Sequence, residues 1–507
     1  MAQDLNDLMK DVEALRNRNN TFLLDNDPVA QLEPREVFRY FAAITKVPRP
    51  SHHEDKMRAF LVHFAEQQQL SWEMDGENVL IRKPASQGQE HRPTLVLQAH
   101  MDMVCEKETD VQIDFMNDPI DTYVDGEWVR ARGTTLGADD GMGVAMMLAI
   151  LADKQHPHGA IEALFTADEE QSFTGVDHLS SDLLKGRYLI NIDRESYGLI
   201  GIGSAGASKF YAHFDVTSSP LPDGYTTVKL SVDNLAGGHS AHGIRTNFAN
   251  ALKLLNAFIK SHISTFSLHL CAFEGGGLLN AIPRQAYAVV AVPATQCEAL
   301  REAFLHYAQT MQEQHRAANP DATFTFTPVC GYTGGYYDDK AAMNVIRALE
   351  EVHYGIYKWN EQIGDCIEMS NNPACITEEN GQIKVGCMAR GFSDESCEEM
   401  TRLTGDILSR HGGKVTYRGA NTAWKADAEN PLVQIAQEQF KRLEGYDAQL
   451  YTTHGGLECG VIMQKYPDMK IINIGATVLD YHTPSEALEI STLGRCYRWI
   501  WAIMDNL

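Results

Sequence analysis

Apolar residues recur at steps of three and four from Val37 through Phe38 and Phe41 to Ile44, which predicts a helix beginning just after Pro34. Pro48-Arg49-Pro50-Ser51 breaks that pattern, and residues 54–68 read as a second helix. The periodicity then changes. Residues 78–82 and 94–99 are strand-like, and Leu95-Val96-Leu97, following the breakers Arg92-Pro93-Thr94, reads as a strand buried on both faces. An apolar helix over 141–152 and strands over 161–166 and 188–192 follow. Strands alternating with helices predict a sheet with crossover connections.

The character changes near Gly201-Ile202-Gly203-Ser204-Ala205-Gly206. Residues 209–216 and 226–233 alternate as half-buried strands, 247–260 forms a helix, and two further strands precede a helix over 299–313 and a strand over 322–328. A similar order recurs, with helices over 341–354 and 396–410 and strands over 366–376, 384–390 and 414–418. Past Trp424 the first character returns, in a helix over 431–443, a strand over 470–475 and a closing helix over 493–504. The expected fold class is therefore α/β. A mixed-sheet domain over 1–206 and 421–507 is interrupted by an α+β insertion over 207–420, itself a candidate internal duplication. Residues 1–28 read as an N-terminal extension without chemistry.

Composition narrows the class. Apolar residues make up 44% and charged residues 22% of 507, as expected for a globular protein. The 68 acidic against 43 basic side chains give a formal charge of −25, which leaves no basic surplus for nucleic acid or an anionic membrane. The ten cysteines are scattered without a C-x-x-C pair, so neither a disulfide framework nor a cysteine zinc site is expected. No basic n-region with an apolar h-region opens the sequence, and a cytoplasmic, reduced protein is expected.

The chemistry gathers where strands end. His100 and Asp102 follow the run 95–97 two positions apart, so both side chains can face one cleft at the carboxyl edge of a sheet. Asp139 sits in Gly137-Ala138-Asp139-Asp140-Gly141 before an apolar helix, where a plain N-cap is the alternative reading. Asp168-Glu169-Glu170 follows the strand 161–166, Asp193 closes the strand 188–192, and His482 follows the strand 470–475. Two imidazoles and three carboxylates suit zinc, and also manganese or cobalt. One bridging carboxylate would let them hold two ions.

These motifs make the chain resemble the di-zinc exopeptidase and deacylase family that includes carboxypeptidase G and the aminoacylases. The resemblance runs from about Leu32 onward. It rests on Gln98-Ala99-His100-Met101-Asp102, Thr135-Leu136-Gly137-Ala138-Asp139-Asp140-Gly141, Thr166-Ala167-Asp168-Glu169-Glu170, Gly237-Gly238-His239-Ser240, Asn280-Ala281-Ile282-Pro283-Arg284, Arg390-Gly391-Phe392, His454-Gly455-Gly456-Leu457-Glu458-Cys459 and Tyr481-His482-Thr483-Pro484. It implies that His100 and Asp193 bind one metal, Glu170 and His482 the other, and that Asp139 bridges them across a cis Asp139–Asp140 peptide. Asp102 would orient His100, and Glu169 would be the general base on a metal-bridging water. His239 would stabilise the oxyanion, while Arg390, His454 and Gly456 would lie at the substrate's carboxylate end. One departure is Ala241-His242-Gly243, where relatives more often continue Gly-His-Ser-Gly.

The implied activity is metal-dependent hydrolysis of unblocked dipeptides, Xaa-His included. The alternative is an N-acyl amino acid deacylase using the same two metals. The insertion would act as a lid, and a homodimer through it is expected.

Overall fold

A computed structural model describes residues 27–507, residue 247 excepted. The N-terminal extension expected over 1–28 lies almost wholly outside the described residues. The chain divides into two compact units. One comprises the described residues up to Gly203 with Ala426–Thr452 and Glu458–Leu507; the other comprises Ser204–Lys425 and Thr453–Leu457.

The first unit is built on an eight-stranded mixed sheet ordered Ser71–Asp75, Asn78–Lys83, Ile161–Thr166, Leu95–His100, Tyr188–Asn191, Lys470–Asn473, Leu199–Ser204 and Gln449–Thr453. Its middle is parallel: Leu95–His100 pairs with Ile161–Thr166 on one side and Tyr188–Asn191 on the other, and Lys470–Asn473 runs parallel to Tyr188–Asn191. Every residue of Leu95–His100 and of Ile161–Thr166 is buried, as both faces of a helix-covered parallel sheet require. The helix Ala138–Ala152 is apolar nearly all round and buried along almost its whole length. It shares one core with Val37, Phe38 and Phe41 of the helix Arg35–Ile44 and with Leu493, Trp499 and Ile500 of the helix Ile490–Asp505. A small antiparallel sheet, Val478–Leu479, Ala487–Glu489, Trp128–Ala131 and Thr122–Asp125, completes this unit.

The second unit carries a nine-stranded antiparallel sheet ordered Thr323–Pro328, Tyr225–Asp233, Ala286–Pro293, His269–Gly276, Ile367–Glu379, Gln382–Gly391, Gly206–Asp215 and Lys414–Asn421, with Gly355–Trp359 also on Ile367–Glu379. Alternate residues Phe210, Ala212 and Phe214, Val228, Leu230 and Val232 face the core. There they meet Leu252, Leu255 and Phe258 of the helix Ala251–His262 and Val345, Ile346 and Leu349 of the helix Asp339–Glu351.

Two halves of this sheet repeat one order of strand, helix, strand, strand, helix, strand. The first half runs Tyr225–Asp233, Ala251–His262, His269–Gly276, Ala286–Pro293, Cys297–His315 and Thr323–Pro328. The second takes Gly206–Asp215 as its opening strand and continues from Asp339–Glu351 through Ile367–Glu379, Gln382–Gly391, Asp394–Arg410 and Lys414–Asn421. The sequence grouped the strand near 209–216 with the first half. Its pairing with Gln382–Gly391 and Lys414–Asn421 puts it in the second, with the first half inserted after it. Short strands, the outer Ser71–Asp75 and Gln449–Thr453 and the inner Trp128–Ala131 of the small sheet, escaped the sequence reading because their exposed or mixed faces lack a clean apolar alternation.

Candidate metal centre

The four parallel strands of the first unit run in one direction, and three of them deliver polar groups at or just past their ends. His100 is the last residue of its strand; Asp168-Glu169-Glu170 and Asp193 follow within a few residues of Thr166 and Asn191. His482 lies on the loop between Val478–Leu479 and Ala487–Glu489, with a left-handed φ of 62° that turns its ring inward. Asp139 joins the two imidazoles: its Oδ1 lies 3.1 Å from His100 Nε2, and its Oδ2 lies 3.2 Å from His482 Nε2. Asp193 Oδ1 stands 3.7 Å from the same nitrogen of His100, and Glu170 Oε2 stands 2.9 Å from that of His482. Two sets of groups capable of holding a metal ion therefore share one carboxylate, namely His100, Asp139, Asp193 and Asp139, Glu170, His482. His100, Glu169 and Glu170 form a further overlapping set.

Asp102 stands behind His100, with Oδ1 3.3 Å from Nδ1, the ring nitrogen away from Asp139. Ser51 Oγ donates to Asp102 Oδ2 at 2.7 Å, and the backbone N–H groups of Glu169 and Glu170 donate to the same carboxylate at 3.1 and 3.3 Å. Asp168, at a left-handed φ of 55°, makes the turn that frees both glutamates from the strand direction.

Asp139 does not cap the helix it precedes. The helix is assigned from Ala138, but Asp139 and Asp140 depart from helical geometry and the peptide bond between them is cis. The cap position falls on Gly137, whose φ of 69° and close approach to the Arg49 guanidinium leave no room for a Cβ. The N–H groups that a cap would serve are taken instead by Glu486, whose carboxylate accepts from Leu136, Gly137, Ala138 and Asp139 at 2.7, 3.0, 2.8 and 3.3 Å. The buried Arg49 guanidinium donates to the carbonyls of Met101, Asp102 and Gly137 from the other side.

Beneath the strand ends, polar side chains form a ladder across four strands. Asn473 donates to Asn191 at 2.6 Å, Asn191 donates to Gln98 at 2.6 Å, and Gln98 donates to Glu458 at 2.6 Å. Thr166 donates to the same Glu458 oxygen at 2.8 Å. Donors thus point one way, toward the fully buried Glu458 at the start of the helix Glu458–Lys465. Sequence reasoning missed Glu486, Arg49, Ser51 and Glu458 as parts of the site. Glu458 stood within a quoted motif, but nothing local marked it as an acceptor for residues hundreds of positions away.

Residues 96–506 match the family described as Peptidase family M20/M25/M40. The chain belongs to that family. It is 34% identical over 486 residues to the cytosol non-specific dipeptidase of Escherichia coli, which covers 94% of this chain and 98% of that protein. Among solved structures it is similar to the aminoacylhistidine dipeptidase of Vibrio alginolyticus, with a TM-score of 0.83, 34% identity, and 95% and 98% of the two chains covered. The aminopeptidase PepT of Bacillus cereus shares the fold, with a TM-score of 0.54 at 14% identity over 94% and 98% of the chains.

The charges of this M20 centre are those of a cation site. Burial, reinforced by Asp139, pushes Glu170 up to about 7, and burial likewise holds Asp193 and Glu169 well above the usual carboxylate range. Burial opposes a charge on His482, but its bonds to Asp139 and Glu170 prevail and raise it to about 11. Carboxylates so crowded require positive charge among them, and without a metal the imidazoles supply it. Nitrogen and carboxylate donors, with a second carboxylate orienting a ligand histidine, fit a divalent transition ion.

Other residues that the family resemblance singled out belong to the second unit. His239, on the short strand Gly238–His239 paired with Ala281–Ile282, is exposed, and its ring lies 5.6 Å from that of His242. Arg390 is buried on the strand Gln382–Gly391, with Nε 3.3 Å from Ser240 Oγ, Nη1 3.3 Å from the His454 carbonyl and Nη2 3.6 Å from Met388 Sδ. It pairs with no carboxylate among the described residues, and burial lowers it to about 10. His454, buried beside it, shares a 2.7 Å hydrogen bond with Ser370 Oγ, and Gly456 follows in the same half-buried turn. Burial and the nearby arginine hold His454 well below the ordinary imidazole value, hence neutral.

Proposed function

We propose that the chain is a two-metal dipeptidase that hydrolyses the peptide bond of unblocked dipeptides, Xaa-His among them. The observation that carries this reading is the Asp139 carboxylate, one oxygen toward His100 and the other toward His482. The names of the Escherichia coli and Vibrio alginolyticus relatives support the substrate class. His100, Asp139 and Asp193 would hold one divalent ion and Asp139, Glu170 and His482 a second, zinc, manganese or cobalt, and the pair would supply Lewis-acid polarisation of a carbonyl and a water of lowered pKa.

The protein's own groups divide the remaining work. The Asp102 carboxylate, 3.3 Å from His100 Nδ1, favours the proton on that nitrogen and leaves Nε2 toward Asp139. Glu169 takes the proton of the attacking water and passes it to the departing amine. His239 donates to the developing oxyanion, and Arg390, with His454 and Gly456 in the adjoining turn, takes the free carboxylate that its fork geometry matches. The polypeptide works in the cytoplasm, as the relative's name suggests, and as a homodimer through the second unit, which light scattering tests.

The test is a screen of free dipeptides, dipeptide amides and N-acetyl amino acids against chelator-treated protein, with zinc, manganese or cobalt restored singly. Cleavage of free dipeptides alone, and only with metal, is expected. Cleavage of N-acetyl amino acids without dipeptides would make the chain a deacylase on the same centre.

A further inference from the structure

Glu486 and His482 occupy one loop, four residues apart, and that loop returns to the chain some 340 positions earlier. His482 reaches the Asp139 side chain there, at 3.2 Å. Glu486 reaches the Asp139 backbone and the three residues before it with four hydrogen bonds from a carboxylate that is only 2% exposed. Four N–H donors converging on one buried carboxylate make a charge-assisted clamp in which both oxygens are used twice.

Resting on the two-metal reading, we infer that Glu486 is a positioning residue that holds Asp139 and His482 in register for one of the two metals, the one shared with Glu170. The reason is geometric. Apart from His482 itself, no residue from 480 to 485 hydrogen-bonds to the Asp139 turn among the described residues: Thr483 Oγ1 is engaged with the Asp480 carbonyl and the Ser485 N–H. Asp139 and Asp140 are outside helical geometry, so the helix itself does not fix the direction of the Asp139 side chain. Its backbone is fixed by Glu486 on one side and by Arg49, through the Gly137 carbonyl, on the other. His100 and Asp193 stand on the edge of the parallel sheet, so the metal they would share with Asp139 depends on the clamp through that one ligand alone, whereas the other depends on it through both Asp139 and His482. Loosening it therefore acts unequally on the two metal positions.

The experiment uses the full-length, metal-stripped protein, titrated with zinc alone against a chromophoric chelator, alongside amide hydrogen exchange without metal. In Glu486→Gln an NH2 group replaces one of the two oxygens, each of which now accepts two N–H groups, so two of the four bonds are lost. One zinc site should weaken by about 10- to 100-fold, the usual effect of removing a partner behind a ligand, while the other shifts by less than about threefold. Glu486→Asp, which keeps the charge and shortens the reach, should fall between. It also serves if Glu486→Gln does not fold. Exchange should quicken at residues 136–139 and 480–486. At saturating zinc, turnover should recover, which a general loss of fold would not allow. A wild-type chain that takes up no zinc would overturn the metalloenzyme reading itself. Wild-type uptake of two zinc ions, matched site for site by Glu486→Gln, would overturn only the clamp.

Discussion

The backbone N–H of Glu169 donates to Asp102 Oδ1 at 3.1 Å, and that same oxygen lies 3.3 Å from His100 Nδ1. The group that sets the His100 ring thus also sets the turn carrying the proposed base. Asp102→Asn should cost about 10- to 100-fold in metal affinity. Unlike the Glu486 variants, it should stay slow at saturating metal, because the Glu169 turn has lost an acceptor. Turnover measured across a zinc titration separates the two cases; full recovery would reduce Asp102 to a ligand-orienting role.

The proposed function gives adjacent Glu169 and Glu170 different work. Glu170 Oε2 lies 2.9 Å from His482 Nε2, as members of one ligand set should. Glu169→Gln is expected to keep two metals per chain and lose about 10²- to 10⁴-fold in turnover. Glu170→Gln is expected to lose one metal first, and excess metal should restore part of its activity. Metal content and turnover of both variants decide the matter, and the opposite pattern would exchange the two roles.

Metal uptake should release protons. In the metal-free protein, the bonds to Asp139 and Glu170 outweigh burial and hold His482 at about 11, so near neutral pH it carries a proton that a metal must displace. Apparent affinity then rises with pH and falls as acid returns the proton. The ion pair itself stabilises the metal-free fold in full below the ordinary histidine value of about 6.5, and that contribution is lost as pH rises toward about 11. Calorimetric zinc titrations in two buffers of different ionisation enthalpy should count at least about one proton per chain. Uptake without proton release would remove His482 from the ligand set.

Arg390 is buried without a carboxylate partner among the described residues, the condition of a side chain whose anion arrives with substrate. Arg390→Lys keeps the charge and loses the planar fork, and should lower kcat/KM about 10- to 100-fold, the equivalent of a charged hydrogen bond worth roughly 1.5–3 kcal/mol. Dipeptide amides should be poor substrates for the wild type and should not suffer further in the variant. Equal rates on amides and acids would take the carboxylate away from Arg390.

The residues gathered at the metal centre were legible because their positions are local facts. His100, Glu169, Glu170 and Asp193 each stand within a few residues of a buried strand's end, and an apolar run predicts where such a strand stops. Their supports were not legible, because they act through the backbone over long loops. Glu486 serves amides 347–350 positions away, and Glu458 serves Gln98 across 360. A glutamate in Thr483-Pro484-Ser485-Glu486 carries no mark of four donors awaiting it. The order of the second unit's sheet failed for the same reason: alternation shows that residues 209–216 form a strand, and only pairing shows which half owns it.

The place of Lys470–Asn473 in the first sheet, between Tyr188–Asn191 and Leu199–Ser204, has a consequence for how the protein is made. A ribosome delivers both neighbours of that strand long before the strand itself. At about 5–20 residues per second, roughly 15–60 s separate the synthesis of Gly203 from that of Glu486. Throughout that interval the nascent sheet has an open slot at its middle, and His482 and Glu486 have not yet been synthesised. Residues 204–425, contiguous in the chain, can close their own sheet during the wait. Chaperones therefore meet a half-built platform whose last-made strand completes both the sheet and the approach to the site, and a premature stop before Lys470 leaves neither.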